Sequence, residues 1–184
     1  MAMFSDEQLA LGVQSGCSDD FTLLVERHHA QLLGFMYRLT GGDRLLAEDL
    51  VQETFLRLLA RIDSYRYPRP LKPWLYAIAV NLARDHYKRA DSRHTDSLLA
   101  DLDPPAGSTP ETEYLAGESA RQAVAALRSL PALQREVLLL RYFQELSLNE
   151  IAQILQVPVG TVKSRLSLGL QRMKDEVRRT KAEE

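Results

Sequence analysis

The chain has 184 residues, which is room for one ordinary domain or two small ones. It is 45% hydrophobic with a formal net charge of -2, so it can build packed cores and is not a uniformly basic nucleic-acid coat, although local basic patches remain open to it. Cys17 is the only cysteine, which excludes an internal disulfide and a cysteine-rich zinc site. No apolar run approaches the roughly 20 residues that span a bilayer. The N-terminus, MAMFSDEQLALG, lacks the basic-then-apolar order of a secretion signal, so a cytoplasmic protein without membrane insertion is expected.

The apolar spacing is helical almost throughout, with no convincing period-two strand, so the expected fold class is all-α. Ser5 with Gln8 reads as a capping box that opens a helix through Val13. Gly16 to Asp20 is a turn, and Ser18 or Asp19 caps a helix from about Asp20 to Leu39. Phe21, Leu24, Val25, His28, Leu32, Phe35, Met36 and Leu39 form its inward face. His28 and His29 are adjacent, so a regular helix cannot aim both at one metal ion.

The next helix is expected from Asp43 to Ile62, with Leu46, Leu50, Thr54, Phe55, Leu58 and Ile62 inward. Glu48, Asp49, Gln52 and Glu53 gather on the other side, near Leu56 and Leu59. A solvated acidic face is the plain reading, but mixed acidic and apolar surface is also what a partner-binding helix presents. SYRYPRPLKP, Ser64 to Pro73, reads as a proline-stiffened basic loop. WLYAIAVNLARDHYKR, Trp74 to Arg89, then reads as an amphipathic helix with Leu75, Ile78, Ala79 and Leu82 inward. Tyr76, Asn81, Arg84, Asp85, Lys88 and Arg89 are expected to face outward. Aromatic rings among cations suit unpaired DNA, because rings stack on bases while cations hold the backbone; Trp74 suits that surface and the core equally.

Residues 91–110 carry several aspartates, Pro104-Pro105 and Gly107-Ser108, and are expected to be a flexible acidic linker. The domains are therefore placed at residues 1–90 and 111–184, with a short transient helix around Leu98, Leu99 and Leu102 possible between them. Helices are expected from Glu111 to Ser129, with Leu115, Ala123, Val124 and Leu127 inward, and from Pro131 to Phe143 through Leu133, Val137, Leu138 and Leu140. LSLNEIAQILQVPVGTVKSRL, Leu146 to Leu166, reads as a helix-turn-helix. Ser147 and Glu150 form a capping box, and Val162 and Leu166 share the face that packs back on the first helix. Thr161, Lys163, Ser164 and Arg165 point outward, where they can bond phosphates and base edges. Arg172, Lys174, Arg178, Arg179 and Lys181 make the last helix basic. No Ser/His/Asp set, clustered metal ligands or Gly-rich phosphate loop is present, so catalytic residues, metal and cofactor are not expected.

Three stretches in this order resemble one family, the bacterial extracytoplasmic-function (ECF) sigma factors. AEDLVQETFLRLL (Ala47 to Leu59) resembles their polymerase-binding helix, and WLYAIAVNLARDHYKR their promoter-melting and minus-ten helix. LPALQREVLLLRYFQELSLNEIAQILQVPVGTVKSRL resembles their minus-thirty-five domain. The resemblance covers nearly the whole chain and implies two small helical domains that join core RNA polymerase, through its beta-prime and beta subunits, to promoter DNA. Asp49, Gln52 and Glu53, with Glu48 and Leu56 beside them, match the face that binds the beta-prime coiled coil. The loop from Tyr65 to Pro73 matches the one that captures a flipped minus-ten base. Asn81 matches a residue lining that pocket, with Tyr65, Arg66, Lys72, Trp74, Tyr76, Arg84 and Lys88 around it. Arg141, Thr161, Lys163, Ser164, Arg165 and Arg172 match the minus-thirty-five surface. An inhibitory anti-sigma factor, often membrane-anchored in this family, is also implied.

Three features depart from the family pattern. Gln156 stands where glycine is common; a positive φ there costs Gln roughly 1 kcal/mol. Ser167 and Leu168 replace the usual ring-bearing residue and arginine. The melting loop is unusually rich in proline and cations. A stand-alone helix-turn-helix regulator and a sigma-like decoy for an anti-sigma protein are the rival readings. The first leaves residues 43 to 89 without a task.

Overall fold

Helix formation begins where the sequence places it. Ser5 accepts from the Gln8 backbone N–H at 3.2 Å, and the Gln8 side chain accepts from Ser5 N–H at 2.8 Å. This capping box opens α1, Asp6–Gln14, in a computed structural model that describes residues 4–94 and 126–182. Every regular element among the described residues is helical: α2 Ser18–Leu39, α3 Arg44–Ala60, a 3-10 turn Ile62–Ser64, and α4 Leu71–His94. Then follow α5 Ala132–Leu138, a π-turn Leu139–Phe143, α6 Leu148–Leu155 and α7 Val159–Ala182. The chain forms two compact units, Met1–Met36 with Leu45–Asp103, and Tyr37–Arg44 with Pro104–Glu184.

In the first unit, Leu9, Ala10 and Val13 of α1 are buried with Leu24, Leu32, Phe35 and Met36 of α2. The spacing predicted for α2 holds, with Phe21 and Val25 half-buried at its edge. α3 buries Ala47, Leu50, Val51, Thr54, Phe55 and Leu58. Each fully buried leucine or phenylalanine contributes about 1.5–3 kcal/mol of transfer free energy. Buried His28 is held through Nε2 at 2.8 Å from Asp6 Oδ2, while Arg27 Nη1 lies 2.9 Å from Asp6 Oδ1. One carboxylate thus ties α1 to α2.

α4 begins at Leu71, three residues before the expected start at Trp74. Pro73 therefore sits inside the first turn. There its missing N–H costs nothing, because first-turn donors have no intrahelical acceptor. The helix also runs on through His94, so residues 91–94, expected to open the linker, are helical. The expected short helix at Leu98, Leu99 and Leu102 lies outside the described residues, as do Leu115, Ala123 and Val124.

In the second unit, the helix expected from Pro131 to Phe143 is α only to Leu138. Beyond it the turn widens, with Gln144 N–H bonding the Leu139 carbonyl at 3.2 Å. Leu133, expected inward, is exposed, while Gln134, Arg135 and Glu136 are buried. Arg135 is satisfied by backbone: Nε donates to the Leu127 carbonyl at 2.9 Å, and Nη2 to Arg128 and Leu130 carbonyls at 2.7 and 3.0 Å. A guanidinium pays its desolvation cost only with such a full set of acceptors. α5 crosses α7 at Gly169, where a Cβ would lie 2.9 Å from Leu138 Cδ1.

α6 opens with its capping box intact, Ser147 N–H to Glu150 Oε2 at 2.7 Å and Glu150 N–H to Ser147 Oγ at 3.2 Å. It closes on Gln156 in the left-handed region, φ 54° and ψ 45°. Val157 N–H bonds the Ala152 carbonyl at 3.1 Å, and Gln156 N–H the Gln153 carbonyl at 3.4 Å. These two bonds make a Schellman ending, which needs the left-handed residue to reverse the chain. Buried Val162 and Leu166 then seat α7 beside the buried α6 residues Ile151, Ile154 and Leu155.

Candidate functional site

Three surfaces collect the residues singled out by sequence. On α3, Leu45, Leu56 and Leu59 are 77%, 61% and 42% exposed. Asp49 and Gln52 are exposed between them, and Glu48 and Glu53 half-buried. Positions 45, 49, 52, 56 and 59 are spaced by alternating fours and threes, so they form one stripe along the helix, the spacing of a coiled-coil seam. Glu53 accepts from Arg57 Nε at 2.8 Å, which holds its carboxylate beside that stripe.

The second surface joins the loop before α4 to one face of that helix. Trp74, Ala77, Asn81, Arg84 and Lys88 are again spaced by threes and fours and share a side. Trp74 and Arg84 are half-buried, Asn81 and Lys88 exposed. The Trp74 ring lies 5.6 Å from that of Tyr65, tilted by 41°. Tyr65 is buried, and its hydroxyl donates to the Arg69 carbonyl. Burial, and then the charges of Glu7, Tyr67 and Asp6, raise the Tyr65 phenol above its ordinary value. Tyr67 points out at 54% exposure, flanked by exposed Arg66 and Arg69, with a cis peptide bond to Pro68.

Tyr76 requires a correction. It was expected on the outward side, but it is fully buried and meets the Phe35 ring edge-on at 5.1 Å. It lies two positions from Trp74, which turns it to the far side of α4. Its ring is core and has no face to offer a base. Half-buried Lys72 places Nζ 6.0 Å from the same ring.

The third surface is the start of α7. Lys163 and Ser164 are exposed, Thr161 and Arg165 half-buried. Ser164 Oγ donates back to the Thr161 carbonyl at 3.0 Å, and Arg165 Nη1 is buried without a hydrogen-bond partner. Arg141 is exposed and donates to the Leu146 carbonyl at 2.8 Å. Arg172 reaches back to Gln134 Oε1 at 3.3 Å, bracing α7 against α5.

A family model described as Sigma-70 region 2 matches residues 24–93, and one described as Sigma-70, region 4 matches residues 120–173. SigW of Bacillus subtilis, an ECF RNA polymerase sigma factor, is 34% identical over 180 residues, covering 90% of this chain and 93% of that protein. The chain belongs to the ECF sigma factors. The ECF sigma-E factor of Haemophilus influenzae is 31% identical over 176 residues, covering 88% of this chain and 89% of that protein. Among solved structures, CnrH in complex with the cytosolic domain of CnrY has a TM-score of 0.68 at 25% identity, covering 92% of this chain and 95% of that one. RpoE of Bartonella quintana, in complex with the anti-sigma factor NepR, has a TM-score of 0.65 at 27% identity, covering 86% of this chain and 97% of that one.

For this sigma factor, sequence reasoning saw both loop tyrosines among the cations but assigned only Tyr65 to the minus-ten surface, whereas Tyr67 is the exposed ring. The loop holds two tyrosines on either side of Arg66, and nothing local says which one turns inward. Leu45 was also overlooked, although its spacing to Asp49 was legible. No helix among the described residues is long and apolar enough to cross a membrane. Sigma factors are transcription initiation factors.

Proposed function

We propose that this sigma factor acts in the cytoplasm, without catalysing a reaction itself, by docking core RNA polymerase on promoter DNA. Residues 1–90 bind polymerase and open the minus-ten element, and residues 111–184 read the minus-thirty-five element. The α3 stripe carrying Asp49, Gln52, Leu56 and Leu59, with Glu48 and Glu53 at its side, lies against a basic, apolar coiled coil of the beta-prime subunit. Arg66, Tyr67, Trp74 and Asn81, with Lys72, Arg84 and Lys88 for the backbone, receive the displaced strand. Tyr65 supports Trp74 from behind. Thr161, Lys163, Ser164 and Arg165 enter the major groove, while Arg141 and Arg172 stand near phosphates.

The observation that carries this reading is the α4 face. A half-buried indole, an exposed amide and two cations share one line of α4, and the loop that leads into this helix carries an exposed tyrosine ring. Flat rings stack on unpaired bases whatever their identity, and cations follow the backbone. Unstacking a base costs a few kcal/mol, which stacking in such a site offsets without nucleotide hydrolysis. Polymerase holds both DNA-binding surfaces on one promoter, so two weak contacts act as a linked pair. An anti-sigma factor is the expected inhibitor, since the solved relative RpoE is held by one.

In vitro transcription tests the reading. Core polymerase from the source bacterium is given a pool of genomic fragments with and without the protein, and new 5′ ends are mapped. Discrete starts sharing upstream motifs are expected. Asn81→Ala should then reduce permanganate reactivity of promoter thymines more than polymerase binding. Binding to core without any new start would favour the decoy reading.

A further inference from the structure

The first helix holds both ends of the loop that precedes α4. Gln14 Nε2 donates to the Ile62 carbonyl at 2.7 Å and to the Tyr65 carbonyl at 3.1 Å, where the chain enters the loop. Glu7 Oε1 accepts from Leu71 N–H at 3.2 Å, where the chain leaves it and α4 begins. Glu7 and Gln14 are seven positions apart, so they share one face of α1 about 10 Å apart. Both are half-buried, and both contact backbone rather than side chains. Residues 66–70 lie exposed between the two anchors. Arg69 N–H bonding the Arg66 carbonyl at 2.9 Å folds the loop's own turn.

These bonds are more specific than core packing requires. A glutamine that only filled space would not satisfy two carbonyls at a chain reversal. A carboxylate at a helix N-terminus meets an N–H that has no intrahelical acceptor and favours negative charge. Together they hold both ends of the backbone segment that carries Arg66, Tyr67 and Arg69. A loop ordered in advance loses less conformational freedom on binding, so more of its contact energy remains for separating the strands. α1 precedes residue 24, where the region 2 family match starts.

We propose that Glu7 and Gln14 are positioning residues for promoter opening: α1 clamps the two ends of the loop Tyr65–Pro70 and presents its exposed ring and cations to the displaced strand. This rests on the proposed role of that loop.

Trp74 is the only tryptophan and packs on Tyr65, so its fluorescence reports the loop directly. Full-length protein carrying Glu7→Ala with Gln14→Ala is compared with wild type for acrylamide quenching, helical circular dichroism, polymerase binding and opening of one mapped promoter. Quenching should rise with the helical signal and polymerase affinity kept. Opening of duplex promoter should fall about tenfold, the scale of losing one or two such hydrogen bonds. A template whose minus-ten region is already unpaired should recover most of that loss. Glu7→Gln keeps an acceptor oxygen and should behave nearly as wild type. Gln14→Glu turns a carboxylate on two carbonyls and should be worse than Gln14→Ala.

Unchanged quenching in the double variant overturns the clamp. Raised quenching with wild-type opening, or equal loss on duplex and pre-opened templates, overturns the positioning role. No starts even with wild type would remove the promoter reading and this role together, while quenching would still decide whether α1 holds the loop.

Discussion

Arg141 Nη1 donates to the carbonyl oxygen of Leu146 at 2.8 Å, bridging the π-turn and the residue just before the α6 capping box. Between them Glu145 adopts a left-handed φ of 57°. The bond thus closes the reversal that aims the helix-turn-helix. Arg141→Ala should destabilise the second unit by about 1–2 kcal/mol, the value of a charged donor on a carbonyl. Urea titration of the full chain measures this. Weaker minus-thirty-five binding with an unchanged midpoint would assign Arg141 to DNA contact alone.

Gln156 holds the left-handed position of the helix-turn-helix turn. Gly there relieves the Cβ strain, although it also frees the unfolded chain. Gln156→Gly should therefore raise stability by about 0.5–1 kcal/mol, while Gln156→Val, β-branched in the same region, should lower it. Equal midpoints for all three would mean the turn relaxes out of this conformation.

The Tyr76 hydroxyl is buried without a hydrogen-bond partner, and burial pushes the phenol well above its ordinary value of 10.0. The folded state therefore favours the neutral phenol, and its contribution to stability is complete below about pH 10 and declines as pH rises beyond that. Tyr76→Phe removes an unsatisfied polar group and should raise stability by about 1 kcal/mol near neutrality. It should also flatten the loss of stability as pH rises above about 10. A less stable Phe variant would reveal a partner for the hydroxyl. Promoter opening should not change, because the ring is core.

Asp49 and Glu53 present carboxylates along the α3 stripe, with Glu53 paired to Arg57. Asp49→Lys with Glu53→Lys should weaken binding to core polymerase by at least about tenfold, since like charges across an interface are strongly unfavourable. The fold should lose only a few tenths of a kcal/mol, the scale of an i,i+4 helix pair. Undiminished affinity with a normal helical spectrum would remove this helix from the docking surface. Leu45→Ala, one turn further along the stripe, should give a smaller loss of the same kind.

Local signals made much of this legible. The two capping boxes depend on residues three apart, so Ser5 with Gln8 and Ser147 with Glu150 could be read directly. The α2 core stripe follows from helical spacing alone, and so does the division of α3 between a buried face and one mixing acids with leucines. At Gln156 the hint came from the resemblance, since glycine is common there in the family, and the structure shows the left-handed residue. What the tertiary structure decided is which of several equivalent groups is enclosed. Tyr65, Tyr67 and Tyr76 are alike in composition and near one another in sequence. Only the packing of α4 against Phe35, and the turn that lays Tyr65 on Trp74, separates the two buried rings from the exposed one. The buried stretch Gln134 to Glu136 was equally hidden, because Arg135 tolerates burial only where the preceding turn brings three carbonyls to it. The anchors at Glu7 and Gln14 join positions roughly fifty or more residues apart. No periodicity carries such a contact, since it exists only once the helices have packed.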